Sequence, residues 1–372
     1  MLLRSLGLAA LIASIASCSA SSSGDPAASS GGTGGVAGSS AGGASGGSSG
    51  AGGAGGAAGS AGPAAWQTIY DSKTLDRVVL SVWGTGPSDV YAVGGPLGNG
   101  GEALVLHYDG TSFHDLHPGG ADSFWWAHGS SAKDVWLVGE NGRATRWDGT
   151  AFVETQTGTT ETLFGVWSAS PTEAWAVGGS VAGTAGDHDV VRRWDGTTWT
   201  AEVLPTPQGI ALFKVWGTSS TDLYVVGEGA TVWHRGANGW EKQTATGAQG
   251  TLLTVNGCSA TDVWAVGDKN VMHSDGTTWT KVTVDLNSRV NGVACAGPGE
   301  IALVGSGGLK QRLHDGAFID EFTTPPFADL HSVWWDGAGA YWAAGGDFIG
   351  KPAPGKPRDG VIARWGTGTI SP

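Results

Sequence analysis

Residues 255 to 279 read VNGCSATDVWAVGDKNVMHSDGTTW, and almost everything in the last 300 or so residues of the chain is a variation on them. Apolar and polar residues alternate through Val263, Ala265 and Gly267. The stretch then runs through Val271 to an Asp275-Gly276 turn and a closing Trp279. That pattern predicts strand, strand, tight hairpin, strand. The central element recurs as DVYAVG at 89, DVWLVG at 134, EAWAVG at 173, DLYVVG at 222, DVWAVG at 262, EIALVG at 300 and AYWAAG at 340. The seven copies are spaced by 45, 39, 49, 40, 38 and 40 residues. An apolar step precedes each copy, as in Val82-Trp83-Gly84, Val166-Trp167-Ser168, Val215-Trp216-Gly217 and Val333-Trp334-Trp335. A turn follows most of them, at Asp109-Gly110, Asp148-Gly149, Asp195-Gly196, Asn238-Gly239, Asp275-Gly276 and Asp315-Gly316. Asp-Gly and Asn-Gly suit the primed hairpin turns, whose two central residues need positive φ.

One such unit cannot bury both faces of its small sheet, so the repeats must stack. A period near 42 residues with about four short strands per unit is a propeller blade. The expected fold is therefore all-β: a seven-bladed β-propeller of four-stranded antiparallel blades. The last repeat ends soon after Val361 to Gly366 and lacks its outer strand, while Trp66-Gln67-Thr68-Ile69-Tyr70 compares with Trp199 to Val203 and Trp279 to Thr283. The N-terminal strand of the domain is expected to complete the last blade and leave no open edge.

Ahead of the domain, residues 1 to 17 carry Arg4, an apolar run from Leu6 to Ile15, and small residues before Cys18. That is the layout of a secretory signal, too short to span a bilayer. Ile15-Ala16-Ser17-Cys18 resembles the lipobox of bacterial lipoproteins. The resemblance implies that Cys18 becomes the lipidated N-terminus, and Ser19 after it fits sorting to the outer membrane. Residues 18 to 64 are otherwise Gly, Ser and Ala almost throughout, with Asp25 the one charge and Val36 the one Val. Such a segment has nothing to bury and reads as a flexible tether, spanning roughly 40 Å at about 5–6 Å times the square root of its length. Residues 65 to 372 form the propeller, so the expected location is a bacterial cell envelope, at the outer membrane or cell surface, with the lipid as the only membrane contact.

Acidic residues outnumber basic ones 33 to 20, and no Lys/Arg cluster stands out, which argues against nucleic acid as a partner. No cofactor motif rises above chance. Ser130 to Lys133 matches Ser-x-x-Lys but lies in the first hairpin turn of its repeat, where other copies read GTGPSD or GTSSTD. His107, Arg146, Arg193, His234, His273 and Arg364 share one slot of the third strand, which points to blade structure. The aligned Trp136, Trp175, Trp264 and Trp342 read as packing. The cluster His114-Asp115-Leu116-His117 splits between two strand faces, which weakens a metal reading. Without a third Cys in the domain or a nearby His pair, zinc is not expected. Cys258 and Cys295 lie near the ends of innermost strands of neighbouring blades. In an exported protein they can pair, although spacing does not fix their separation.

Loop lengths carry the functional reading. The insertions at 95–101, 117–124, 179–189, 204–211, 323–330 and 346–360 all belong to the connections expected on one face of the ring. Loops on a rigid scaffold carry function, so this long-loop face is the expected binding face. Its candidate ligand-binding residues are Asp187, His188 and Asp189 in one loop, and Asp347, Phe348, Lys351, Lys356 and Arg358 in another. The latter loop should neighbour residues 95–101 once the ring closes.

The repeat is similar to those of secreted bacterial β-propellers that read V-W-G, D-V-W-A-V-G, H-Y-D-G and W. It is distantly similar to the Asp-box propellers, which include sialidases and photosystem-assembly factors. Ser274-Asp275-Gly276-Thr277-Thr278-Trp279 departs from the Asp-box pattern, because its Asp and Gly are adjacent, and no sialidase-type Arg-Ile-Pro segment is present. The expectation is a monomeric binding or scaffolding module for an envelope protein or a glycan. Two further readings are a glycan-active hydrolase or lyase using Asp187, Asp189 and Asp347 as paired acids, and a lectin with one weak site per blade. No catalytic residue is assigned.

Overall fold

The computed structural model describes residues 63 to 370 apart from 74, 99, 351 to 355 and 369. The signal segment, Cys18, most of the tether and Lys351 therefore lie outside the described residues. Within them, seven four-stranded antiparallel sheets form the domain. The first strand of each sheet touches the first strands of both neighbours, from Val78–Gly86 in blade one round to Leu330–Trp335 in blade seven and back to blade one. These seven strands line the axis, and the later strands of each blade lie progressively outward. The expected seven-bladed propeller is the observed fold.

Closure follows the expected route. Ala65–Asp71 is the outermost strand of blade seven, antiparallel to Gly360–Gly366, with Trp66 opposite Trp365 and Gln67 opposite Arg364. A bulge between Thr68 and Tyr70 brings Tyr70 opposite Ile362. Trp66 and Ile69 are each 3% exposed. The Trp66 indole donates to Glu321 of blade six at 2.6 Å, and Glu321 also accepts from Arg312 at 2.8 Å. The Arg312 guanidinium in turn lies 3.8 Å from the Trp365 ring centre.

The repeated residues explain themselves as joints between blades. In the V-W-G step, the Trp of one blade presses on the Gly of the next. A Cβ at Gly129 would lie 2.8 Å from Trp83, one at Gly257 2.6 Å from Trp216, and one at Gly84 3.0 Å from Trp334. Where the Trp slot is polar, a hydrogen bond replaces the contact. His128 accepts from the Ser168 N–H at 3.1 Å, and the Asn256 amide oxygen accepts from the Cys295 N–H at 2.9 Å. Cys295 occupies the Gly slot of blade six and is joined by a disulfide to Cys258 of blade five, Cα atoms 5.4 Å apart. That separation falls in the ordinary disulfide range.

At the rim, tryptophans reach the other way. Trp199 donates to Thr155, Trp240 to Glu202 and Trp279 to Gln243, at 3.0, 2.7 and 2.7 Å, each to the preceding blade. Blades four, five and seven are thus fastened forward near the axis and backward at the edge.

Replacing Trp66 by Ala removes both a buried aromatic and its tie to blade six, and is expected to cost about 3–5 kcal/mol. Denaturant midpoints of the two proteins measure this. A change below about 1 kcal/mol would mean that the closing strand does not hold the ring.

Candidate functional site

The conserved shape of the repeat leaves few free polar groups. In five blades the acid that opens the D-V-W-A-V-G copy binds the basic residue of the third-strand slot, as in Asp89 to His107 at 2.7 Å, Asp134 to Arg146 at 2.6 Å, Asp222 to His234 at 2.8 Å and Asp262 to His273 at 2.9 Å; in blade six Glu300 binds His314 instead, and Arg312 binds Glu321. The longest of these ties joins Glu173 to Arg193 at 3.4 Å. Blade seven has Ala340 in the acid slot, and Arg364 turns to the Thr367 carbonyl. The same basic residues lie on the aromatic of the second strand, with ring centres 4.5 Å apart for Tyr91 and His107 and 4.4 Å for Tyr224 and His234. Ser130 donates to Asp134 within its turn, so the Ser-x-x-Lys match is a turn element. His114 pairs with Asp109, while His117 faces Glu102, so that cluster splits. Trp136, Trp175 and Trp342 are fully buried and Trp264 is nearly so, so these repeated aromatics offer no platform for a sugar.

On the long-loop face, several candidates hold their own loops. Asp189, in the left-handed region at φ 51°, accepts from the backbone N–H groups of Gln208 and Gly209 at 2.9 and 2.6 Å. His188 donates to the Ser180 carbonyl at 2.7 Å, and Asp187 is exposed. Asp347 accepts from the Asp359 N–H at 3.2 Å. Asp189 and Asp347 are thus each tied to backbone in their own surroundings and not to one another. Two of the expected ligand residues require correction. Arg358 is only 2% exposed, with its guanidinium on the carbonyls of Asp347 and Gly350. Phe348 is 7% exposed and packs with Val78, Leu80, Trp125, Phe164 and Phe213. Both fold inward, Phe348 over the axis and Arg358 into its own loop, so neither is presented to a ligand. Lys356 remains exposed. Leu97 joins the same apolar cluster, which places loop 346–360 beside residues 95–101.

The exposed apolar residues of this region lie elsewhere. Phe322 and Phe327 are 38% and 56% exposed with ring centres 5.8 Å apart, next to Ile319 at 38%. A cavity of about 380 Å³ at blade two, between the connections that enter and leave it, includes Arg143, but that guanidinium is committed to Glu154 and to the carbonyls of Gly119 and Asp122.

The apolar cluster around Phe348 seals the axis at the long-loop end. Beyond it, toward the short hairpins, lies a cavity of about 180 Å³ walled by Trp83, Trp126, Trp216, Trp334 and Trp335. Its lining comes from the middle stretches of the innermost strands, and Trp126, Trp216, Trp334 and Trp335 are partly exposed. Lys214 reaches into this wall from blade four. Gly165 of blade three makes room for it, since a Cβ there would lie 3.3 Å from Lys214 Cδ. Lys214 Nζ donates to the Phe164 carbonyl at 2.8 Å and lies 4.2 Å from the Trp126 ring centre. Burial pulls its pKa down to about 7. Across the axis, His331 donates to the Leu80 carbonyl at 2.6 Å. Burial and then the Lys214 charge lower the His331 pKa to about 3, and burial lowers that of His128 to about 4. Sequence reading missed this group. The one signal was a lysine inside the apolar run Ala211 to Gly217.

No known family's sequence model matches the chain, and no curated protein matches it in sequence. Solved structures do match in shape. One is a streptogramin B lyase at 13% identity and a TM-score of 0.62, with 82% of this chain and 98% of that chain covered. Another is YCF48 bound to a D1 peptide, at 14% identity and 0.60, covering 82% and 97%. A third is the WD40 propeller domain of Doa1, at 12% identity and 0.60, covering 80% and 96%. At such identities the likeness defines the class by architecture alone: this chain is a β-propeller.

The Asp-Gly turns give a pH test of the fold. Hydrogen bonds from Thr198 and Thr197 hold the Asp195 carboxyl down at about 2, and those from Thr277 and Thr278 do the same for Asp275. Because folding depresses these values below the ordinary 3.8, the stabilisation is fully present above about pH 4 and is lost as pH falls through about 2. The Asp195→Asn/Asp275→Asn protein keeps the acceptor oxygens without the titration. Its urea midpoint is expected to fall less steeply between pH 4 and 2 than that of the parent, and equal slopes would refute the assignment.

Proposed function

We propose that this propeller is a non-catalytic binding module of a bacterial cell envelope. In this reading a signal segment at residues 1 to 17 directs export and Cys18 carries a lipid. Residues 18 to 64 act as a tether that lets the ring at 65 to 372 stand clear of the membrane. Two or three acyl chains would make that attachment effectively permanent, since each buried methylene contributes about 0.8 kcal/mol.

The observation that carries the binding reading is the pairing of Phe322 with Phe327 in the open, on a face where Asp189 and Asp347 are tied to backbone. Clustered exposed aromatics on a rigid ring suit an envelope protein better than they suit acid-base chemistry. That YCF48 has been solved with a peptide is consistent with a protein partner for this chain.

Two experiments address the two halves of the proposal. Cells expressing the full chain and fed labelled palmitate should yield labelled protein, and Cys18→Ser should abolish the label and release the protein from membranes. Label that persists in the variant would remove the anchor. For the partner, intact protein and Phe322→Ser/Phe327→Ser are used to capture components of envelope extract. A protease-sensitive partner retained by the former and reduced at least tenfold on the latter is expected. Equal recovery, or recovery lost only when glycans are destroyed with periodate, would overturn the protein-binding surface.

A further inference from the structure

The axial cavity is a site of a different kind, on the opposite end of the ring from the proposed partner surface and independent of it. Three features mark it as built. The wall is aromatic, from Trp83, Trp126, Trp216, Trp334 and Trp335 of four different blades. Its far end is stopped by Phe348, Phe164, Trp125 and Phe213, so whatever enters does so from the short-hairpin side. A single ammonium, that of Lys214, sits in the wall, 4% exposed. Among the described residues it donates one hydrogen bond, to the Phe164 carbonyl, although an ammonium offers three donors.

Among the described residues, no carboxylate makes an ion pair with Lys214. That sets it apart from the blade slots, where basic side chains face acids at 2.6 to 3.4 Å. A buried cation without a counter-charge is unfavourable unless something supplies the negative charge. The other titratable groups at this level do not supply it. His331 from blade seven gives its Nδ1 proton to Leu80, and His128 from blade two accepts from the Ser168 N–H. Asp134, the acid whose charge reaches His128, is already bound to Arg146, Ser130 and Ser168.

We propose that the axial cavity binds an organic carboxylate attached to a flat apolar group, with the carboxylate on Lys214 and the apolar part between the indoles. The carboxylate can belong to a small molecule or to the C-terminus of a peptide ending in an aromatic residue. The charge-assisted hydrogen bond is the orienting contact, and the aromatic wall supplies the buried area.

Because the anion favours the protonated amine, its affinity should be flat below about pH 7 and fall by up to tenfold per pH unit above it, where His128 and His331 stay neutral. The test titrates the full chain with benzoate, with benzyl alcohol, and with a short peptide ending in Phe as free acid or amide, following tryptophan fluorescence and heat. Saturable binding of benzoate, absence of benzyl alcohol binding, and at least tenfold weakening in Lys214→Met are expected. Removing an unpaired buried charge should leave the denaturation midpoint of that variant equal or higher, which confirms that it is folded. Binding of the free-acid peptide but not of benzoate supports the site and assigns it to chain termini. If neither acid binds, or if binding is the same at pH 6.5 and pH 9, the proposal fails whatever the variant does.

Discussion

The structure depends on closing a ring of small sheets, none of which could stand alone. A four-stranded blade buries its two faces only against its neighbours, so one failed junction exposes two faces and an edge. The last junction is made by Ala65–Asp71, nearly 300 residues away in sequence from its pairing partner Gly360–Gly366. Closing the ring therefore requires a contact of very long sequence separation, the kind that is slow to form, while every other blade is assembled from adjacent hairpins. The indole contacts near the axis point forward to the next blade and those at the rim point back. Opposed ties of this kind resist both shear and splaying of neighbouring blades.

The fold was legible in the sequence because its determinants are local and repeated. Period-two alternation, Asp-Gly turns and the spacing of D-V-W-A-V-G each report on a few adjacent residues, and seven copies average out the divergence of any one. Even closure was legible, since Trp66 to Tyr70 could be matched to the strand that the last copy lacks. The third-strand slot of His107, Arg146 and His234 was likewise readable as structural, because a position repeated around a ring serves the ring.

The site was much less legible, for a geometric reason. Whether Phe348 and Arg358 point outward or fold over the axis depends on the shape of a 15-residue insertion, which its composition does not specify; they fold inward. Lys214 posed the reverse problem. Its surroundings come from Phe164 and Gly165 of one blade, Trp126 of another and His331 of a third. No sequence neighbour announces that convergence. A lysine that breaks an apolar innermost strand was the one available sign, and repeat alignment tends to discount a residue that appears in a single copy.

That single appearance separates Lys214 from the charged side chains of the repeated third-strand slot. The acid-base pairs of the blade slots stabilise turns and recur, so their loss at one blade, as at Ala340, is tolerated by a local change such as Arg364 turning to Thr367. Lys214 has the Phe164 carbonyl and the Trp126 face but no acid. Displacement of its pKa from 10.5 to about 7 corresponds to roughly 5 kcal/mol disfavouring the charged form in the folded protein. A methionine of similar length would fill the space over Gly165 without that penalty. Lys310 is likewise buried on carbonyl partners alone; what distinguishes Lys214 is its place in the wall of an aromatic cavity, where an amine can orient an anion between indoles.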